Sequence, residues 1–311
     1  MNNIEQAILR TLTWFDVFDY PLKLEEIYYY LIRLPAKSLE DLNITLDRLT
    51  QQKLIGEKSG YYFLHHREVN IQTRQQRAAV FERKIKKAKK IARKLRLFPW
   101  IKAITVCNTL GYGNAPVGSD IDLFIITNKD RVWVTRFFVL STLKLLRVRP
   151  QLSRFGSVRE KRQDKIDANF FLSENSLNIE SLAIEEDIYL SFWIIQQIPL
   201  LDLGNTYEKF IESNAWIKAN LPNHSHKAID YDHCNHSAWS LGKLIKALTL
   251  NIDERFYRWL QLKILPQKLK DMSNKSSGVI INDSTLKFHD QDRRAYFKNL
   301  WLEKIQKLKL L

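Results

Sequence analysis

Apolar positions change period along the chain, and the changes mark its organisation. Ile4, Ala7, Ile8, Leu12, Phe15 and Phe18 recur every three or four places, the stripe of a helix. Tyr20-Pro21 breaks it. A second helix is expected over 22–33, stopped by Pro35. Ser38-Leu39-Glu40-Asp41 opens a third like a capping box, with Leu39, Leu42, Leu46 and Leu49 on one face. The run 54–64 then reads as two short strands around a glycine-containing turn. Residues 67–97 return to helical spacing, with Phe81, Ile85, Ala88, Ala92 and Leu95 down one side, and Pro99 ends the run. Short β-rich runs follow at 101–106, 121–127 and 166–172, with an amphipathic helix at 132–146, the order of an α/β unit. From 181 onward helices are expected at 184–198, 206–220, 237–249, 253–265 and 293–310, with a flexible connector at 273–278. The expected class is α+β, without internal repeats.

Four segments result. Residues 1–66 form three helices and a hairpin, 67–98 a basic linker helix, 99–180 an α/β core with a small mixed sheet, and 181–311 a helical domain. Three helices followed by a hairpin resemble a winged helix-turn-helix, a family whose third helix commonly enters the major groove. The third helix here is not rich in Arg or Lys, and winged helices also serve as protein-contact modules, so nucleic-acid binding by 1–66 stays open.

Charge changes the picture of partners. The net charge of +15 favours capture of polyanions: nucleic acid and nucleotide phosphates first, an anionic membrane surface second. The surplus concentrates in 81–96, which holds nine Lys or Arg against one acid. That helix has a docking side and a cationic ridge, read either as a phosphate-backbone contact or as a solvated connection between domains. Two cysteines, Cys107 and Cys234, are too few for a disulfide framework and fit a reducing cytoplasm. Met1-Asn2-Asn3-Ile4-Glu5 does not open a signal peptide. The greasiest stretches, 132–146 and 188–203, carry polar or proline interruptions, so no membrane span is expected.

The chemistry concentrates at Ser119-Asp120-Ile121-Asp122. On a strand Asp120 and Asp122 share a face because side chains alternate, while Ile121 and Leu123 take the other. Two carboxylates side by side repel unless a cation lies between them. Magnesium is the expected cation, since it takes one or two carboxylates and completes its shell from water and phosphate.

With its preceding strand, turn and gap, this segment resembles the polymerase-beta-like nucleotidyltransferase superfamily. The resemblance covers about residues 100 to 175. It implies that Asp120 and Asp122 hold one or two Mg2+ ions bridging a nucleoside triphosphate, preceded by Gly118-Ser119. The family's glycine-serine turn falls on Asn108-Thr109, a departure at both positions. Asn tolerates left-handed backbone angles and Thr keeps a hydroxyl, so phosphate binding there is weakened, not lost. Gly111 and Gly113 leave the loop free to approach phosphates. The implied third carboxylate is Asp167, a further metal ligand and proton acceptor, with Asp164 as its competitor. Alternation puts Asp167, Asn169 and Phe171 on one face. The whole chain also resembles bacterial proteins that join a winged helix, a nucleotidyltransferase core and a helical tail.

Two further clusters read as ordinary. His224, His226, Asp232, His233, Cys234 and His236 offer zinc-type ligands, but at the spacing of no standard finger. Phe288-His289-Asp290-Gln291-Asp292-Arg293-Arg294 reads as a helix cap with solvated charges. The leading expectation is a cytoplasmic, metal-dependent enzyme that moves a nucleoside monophosphate from a triphosphate to a hydroxyl on RNA, protein or a small molecule. The alternative is a catalytically degenerate nucleic-acid-binding regulator or antitoxin-like protein. A module that holds a nucleotide without turnover is a third.

Overall fold

Local signals set the first elements where the sequence puts them. In the computed structural model, which describes residues 1–36, 38–150, 162–224 and 253–308, α1 spans Asn3–Asp16. It starts in a full capping box, with Asn2 and Glu5 each taking the other's backbone N–H at 2.9 Å. Helices α2 (Leu24–Tyr30) and α3 (Leu39–Gln51) follow, the latter capped by Ser38. Strands β1 (Ile55–Lys58) and β2 (Tyr61–Leu64) form an antiparallel hairpin, and α4 (Val69–Leu95) is the long basic helix.

The remaining order is β3 (Ile101–Val106), α5 (Asn108–Gly111), β4 (Ile121–Thr127), α6 (Val132–Leu145), β5 (Ile166–Ser173), α7 (Ile188–Ile195), β6 (Ile198–Asp202), α8 (Thr206–Ser213), α9 (Glu254–Ile264), α10 (Gln267–Met272), β7 (Val279–Ile281), β8 (Thr285–Phe288) and α11 (Arg294–Lys307). Six strands make one mixed sheet in the order β6-β3-β4-β5-β8-β7. Only β4 and β5 run parallel; their neighbours pair antiparallel. The class is therefore α+β, as the alternating periods imply. Among the described residues no helix is long and apolar enough to cross a membrane.

The segment expected to be wholly helical supplies three of the six strands. Ile198-Pro199-Leu200-Leu201 is too short to reveal its period, and only pairing with β3 makes it a strand. The β7–β8 hairpin likewise becomes legible through its register on β5, Phe171 opposite Leu286. The helix expected at 184–198 is consequently trimmed to α7, and that at 206–220 to α8 and a short 3-10 turn. The helix expected at 237–249 lies outside the described residues.

The sheet buries both faces. One packs on Ala88, Ala92 and Leu95 of α4 and on Trp133 and Val139 of α6. The other packs on α7 and α8 and joins the core of α1, α2 and α3. The first 66 residues thus share a core with the rest rather than hanging from a linker. Trp14 stacks on Phe192 with ring centroids 5.4 Å apart. At the far end of the chain Trp301 Nε1 donates to Arg10 O at 3.0 Å, and Lys304 pairs with Asp16 at 2.6 Å.

Candidate metal centre

Strand pairing assembles the acids. In the parallel register of β4 and β5, Asp122 lies opposite Asp167, and Asp120 sits one residue ahead of β4. Odd positions of β4 (Ile121, Leu123, Ile125) are buried toward α4 and α6, which turns Asp120 and Asp122 to the other face. One carboxylate oxygen from each of Asp120, Asp122 and Asp167 lies within 4.8 Å of the others. Among the described residues this is the only such trio of His, Cys, Asp or Glu. Two oxygens across a magnesium ion stand about 4.2 Å apart, so modest side-chain rotation closes the trio on one ion.

A bulge on β5 supports the arrangement and corrects one expectation. Register shifts between Leu123/Ala168 and Phe124/Phe170, leaving Asn169 as the extra residue. Phe170 therefore joins the acidic face, and Phe171 goes to the opposite core rather than beside Asp167.

Crowding shapes the electrostatics. Burial, then the charges of Asp120 and Asp167, push the Asp122 carboxyl up to about 8, against an opposing hydrogen bond from Asn108. Burial and Asp120 likewise raise Asp167. Among the described residues Arg162 pairs with Asp120 at 3.8 Å and is mostly exposed, which offsets little. Three acids held together with no buried cation among the described residues pairing with them form a site whose chemistry suits a divalent ion.

Asn108 fits its expected backbone role, with φ of +56°, and its Nδ2 donates to Asp122 Oδ2 at 2.9 Å. The other residues expected at the phosphates lie elsewhere. Thr109 borders a neighbouring aromatic void, and the Ser119 hydroxyl donates to Pro116 O on an exposed loop with Gly118. None of the three lines the acidic cavity. Gly111 is needed for packing: a Cβ there would stand 2.4 Å from Gln196 O. Asp164 is not a rival ligand, because fully buried Lys84 pairs with it at 2.8 Å and Arg83 at 3.2 Å. Burial works against ionisation of Asp164, but these two cations outweigh it and hold its carboxyl below the usual range.

The acids form one wall of a cavity of about 490 Å³, within the size range of small-molecule sites. Lys287 also lines it, with 288–294, the segment expected to be a solvated cap. Asp292 does accept from Arg294 N at 3.1 Å, as a cap does. Lys287 and Arg294, however, are buried. Arg294 is held by Asp292, by Asp187 at 2.5 Å and by Leu182 O at 2.9 Å. Burial and then the Arg294 charge lower Lys287 to about 8, and burial with Lys287 lowers His289 to about 4. The sequence signal was present in the density of charge at 287–294, but its position opposite the acids depends on β8 pairing with β5. Of the histidine-cysteine cluster, His224 is buried against Tyr29; the remainder lies outside the described residues.

No protein-family model matches the chain, and no curated protein matches it in sequence.

Proposed function

We propose that the protein is a metal-dependent nucleotidyltransferase of the polymerase-beta-like kind, acting on a nucleoside triphosphate and a hydroxyl acceptor. The observation that carries the reading is the convergence of Asp120, Asp122 and Asp167 at one end of the parallel β4–β5 pair, in a cavity that Lys287, Arg293 and Arg294 also line. Asp120, Asp122 and Asp167 would hold one or two magnesium ions. Bound there, magnesium supplies charge neutralisation for phosphate oxygens and acidifies a coordinated hydroxyl. Asn108 fixes the Asp122 carboxylate through its amide. Lys287, Arg293 and Arg294 line the far side, where they would steady the charge of a polyphosphate. Asp167, with its raised proton affinity, is suited to accept the proton of the incoming hydroxyl at its carboxylate.

The first five elements have the order of a winged-helix unit, but the exposed side of α3 carries Glu40, Asp41 and Asp47, with Arg48 drawn to Glu5 at 3.3 Å. That charge disfavours entry into a DNA groove, so any nucleic-acid contact falls to the ridge of α4. Use of nucleotides makes the cytoplasm the expected setting.

The test is transfer from labelled triphosphates with magnesium, comparing the natural protein with Asp120→Asn. Equal signal from both removes the assignment. An inactive nucleic-acid-binding protein is the second reading, favoured by the failure of Thr109, Gly118 and Ser119 to line the cavity. It requires steeply salt-dependent binding that Asp120→Asn leaves unchanged, and absence of such binding eliminates it.

A further inference from the structure

Beside the metal centre lies a second, smaller void of about 90 Å³. Its walls are aromatic: Trp14 and Phe18 from the N-terminal unit face Phe192 and Trp193 of α7. Tyr189 and Phe297, stacked at 5.7 Å, border this void and the acidic cavity alike, as do Asn108 and Trp193. The two cavities therefore adjoin across these four side chains.

We propose that this void is the base subsite of the nucleotide, built for a single-ring pyrimidine; the proposal rests on the nucleotidyltransferase reading. Size is the first argument. A cavity of about 150 Å³ accommodates benzene; at about 90 Å³ this one admits a single six-membered ring only as its walls yield, and a fused purine is excluded. Chemistry is the second. A pyrimidine has apolar faces and a polar edge, and the void matches both. Ring faces meet aromatic walls, on which a base stacks favourably whatever its identity. The edge is answered by the polar residues of the lining, Thr109 and Gln196, whose side chains have no hydrogen-bond partner among the described residues. A plain hydrocarbon would leave both polar groups unanswered. The departure from glycine-serine at Asn108-Thr109 then has a use: Asn108 turns to the acid and Thr109 to the base.

Calorimetry on the full-length protein with magnesium tests this, using UTP, CTP, ATP, GTP and inorganic tripolyphosphate as probes. The pyrimidine triphosphates are expected to bind at least tenfold more tightly than the purines and to quench tryptophan fluorescence from Trp14 and Trp193. Gln196→Ala and Thr109→Val should each shrink that preference at least threefold while tripolyphosphate affinity stays within twofold. Equal affinity for all four nucleotides, or a purine preference, overturns the base subsite while tripolyphosphate binding keeps the phosphate site. Absence of binding by every probe, tripolyphosphate included, overturns both readings.

Discussion

Asp122→Asn should stabilise the metal-free protein, although it removes a residue central to the proposed chemistry. Like charges 4.8 Å apart repel by roughly 3 kcal/mol at an effective dielectric constant of about 20. Asp122 is buried and also faces two such neighbours; burial first, then their charges, make it hold its proton, with its carboxyl raised from 3.8 to about 8. Between those values the folded chain binds more protons than the unfolded chain, so metal-free stability falls as pH rises from about 4 to about 8. At pH 7 the accumulated cost is on the order of 2–4 kcal/mol, after discounting for charge shared within the trio. Asparagine keeps the shape, can still accept from Asn108 and carries no charge. In chelator at pH 7 the variant should melt about 3–6 °C above the natural protein, with a flatter pH dependence. Millimolar magnesium should raise the melting temperature of the natural protein alone, since an ion that binds the folded chain and not the unfolded one stabilises the fold. Thermal unfolding followed by circular dichroism at pH 5, 7 and 8, with and without magnesium, measures all of this. A variant no more stable than the natural chain in chelator refutes the crowding argument.

Other perturbations probe the supports of the site. Lys84→Met leaves Asp164 and the Ser119 carbonyl without their buried partner and should cost about 2–3 kcal/mol in denaturant unfolding; a loss below half a kcal/mol contradicts the buried pair. Gly111→Ala forces a methyl against the Gln196 carbonyl and should cost about 1–3 kcal/mol, with magnesium affinity falling too because Asn108 shares that turn; an unchanged melting curve counts against the close approach. His289, held neutral down to about pH 4 by burial and Lys287, lets the unfolded chain bind more protons between about 4 and 6.5. Stability should therefore drop as pH falls through that window, and His289→Gln should flatten the drop; identical slopes in the two proteins dispose of the assignment.

Much of the centre was legible along the chain. Asp120 and Asp122 share a face because a strand has a period of two, and the apolar residues between them show which face is buried. The left-handed turn at Asn108 follows from its residue type. What strand alternation could not supply was the bulge at Asn169, since an extra residue changes the facing of everything after it without changing composition. Phe171 was assigned to the wrong side for that reason. Asp164 and Asp167 are equally acidic in sequence, and Lys84 and Arg83, some eighty residues earlier, separate an ion-paired carboxylate from one free to join the trio.

Local periodicity and capping by themselves determined the helices of the first 95 residues, the central strands and the pair of acids, because each depends on residues within a turn or two. Tertiary structure alone decided strands β6, β7 and β8, the choice of Asp167 over Asp164 and the place of 287–294 at the cavity. These come from pairing between segments far apart in sequence, and hydrogen-bond register across a sheet leaves no periodic trace in either partner on its own.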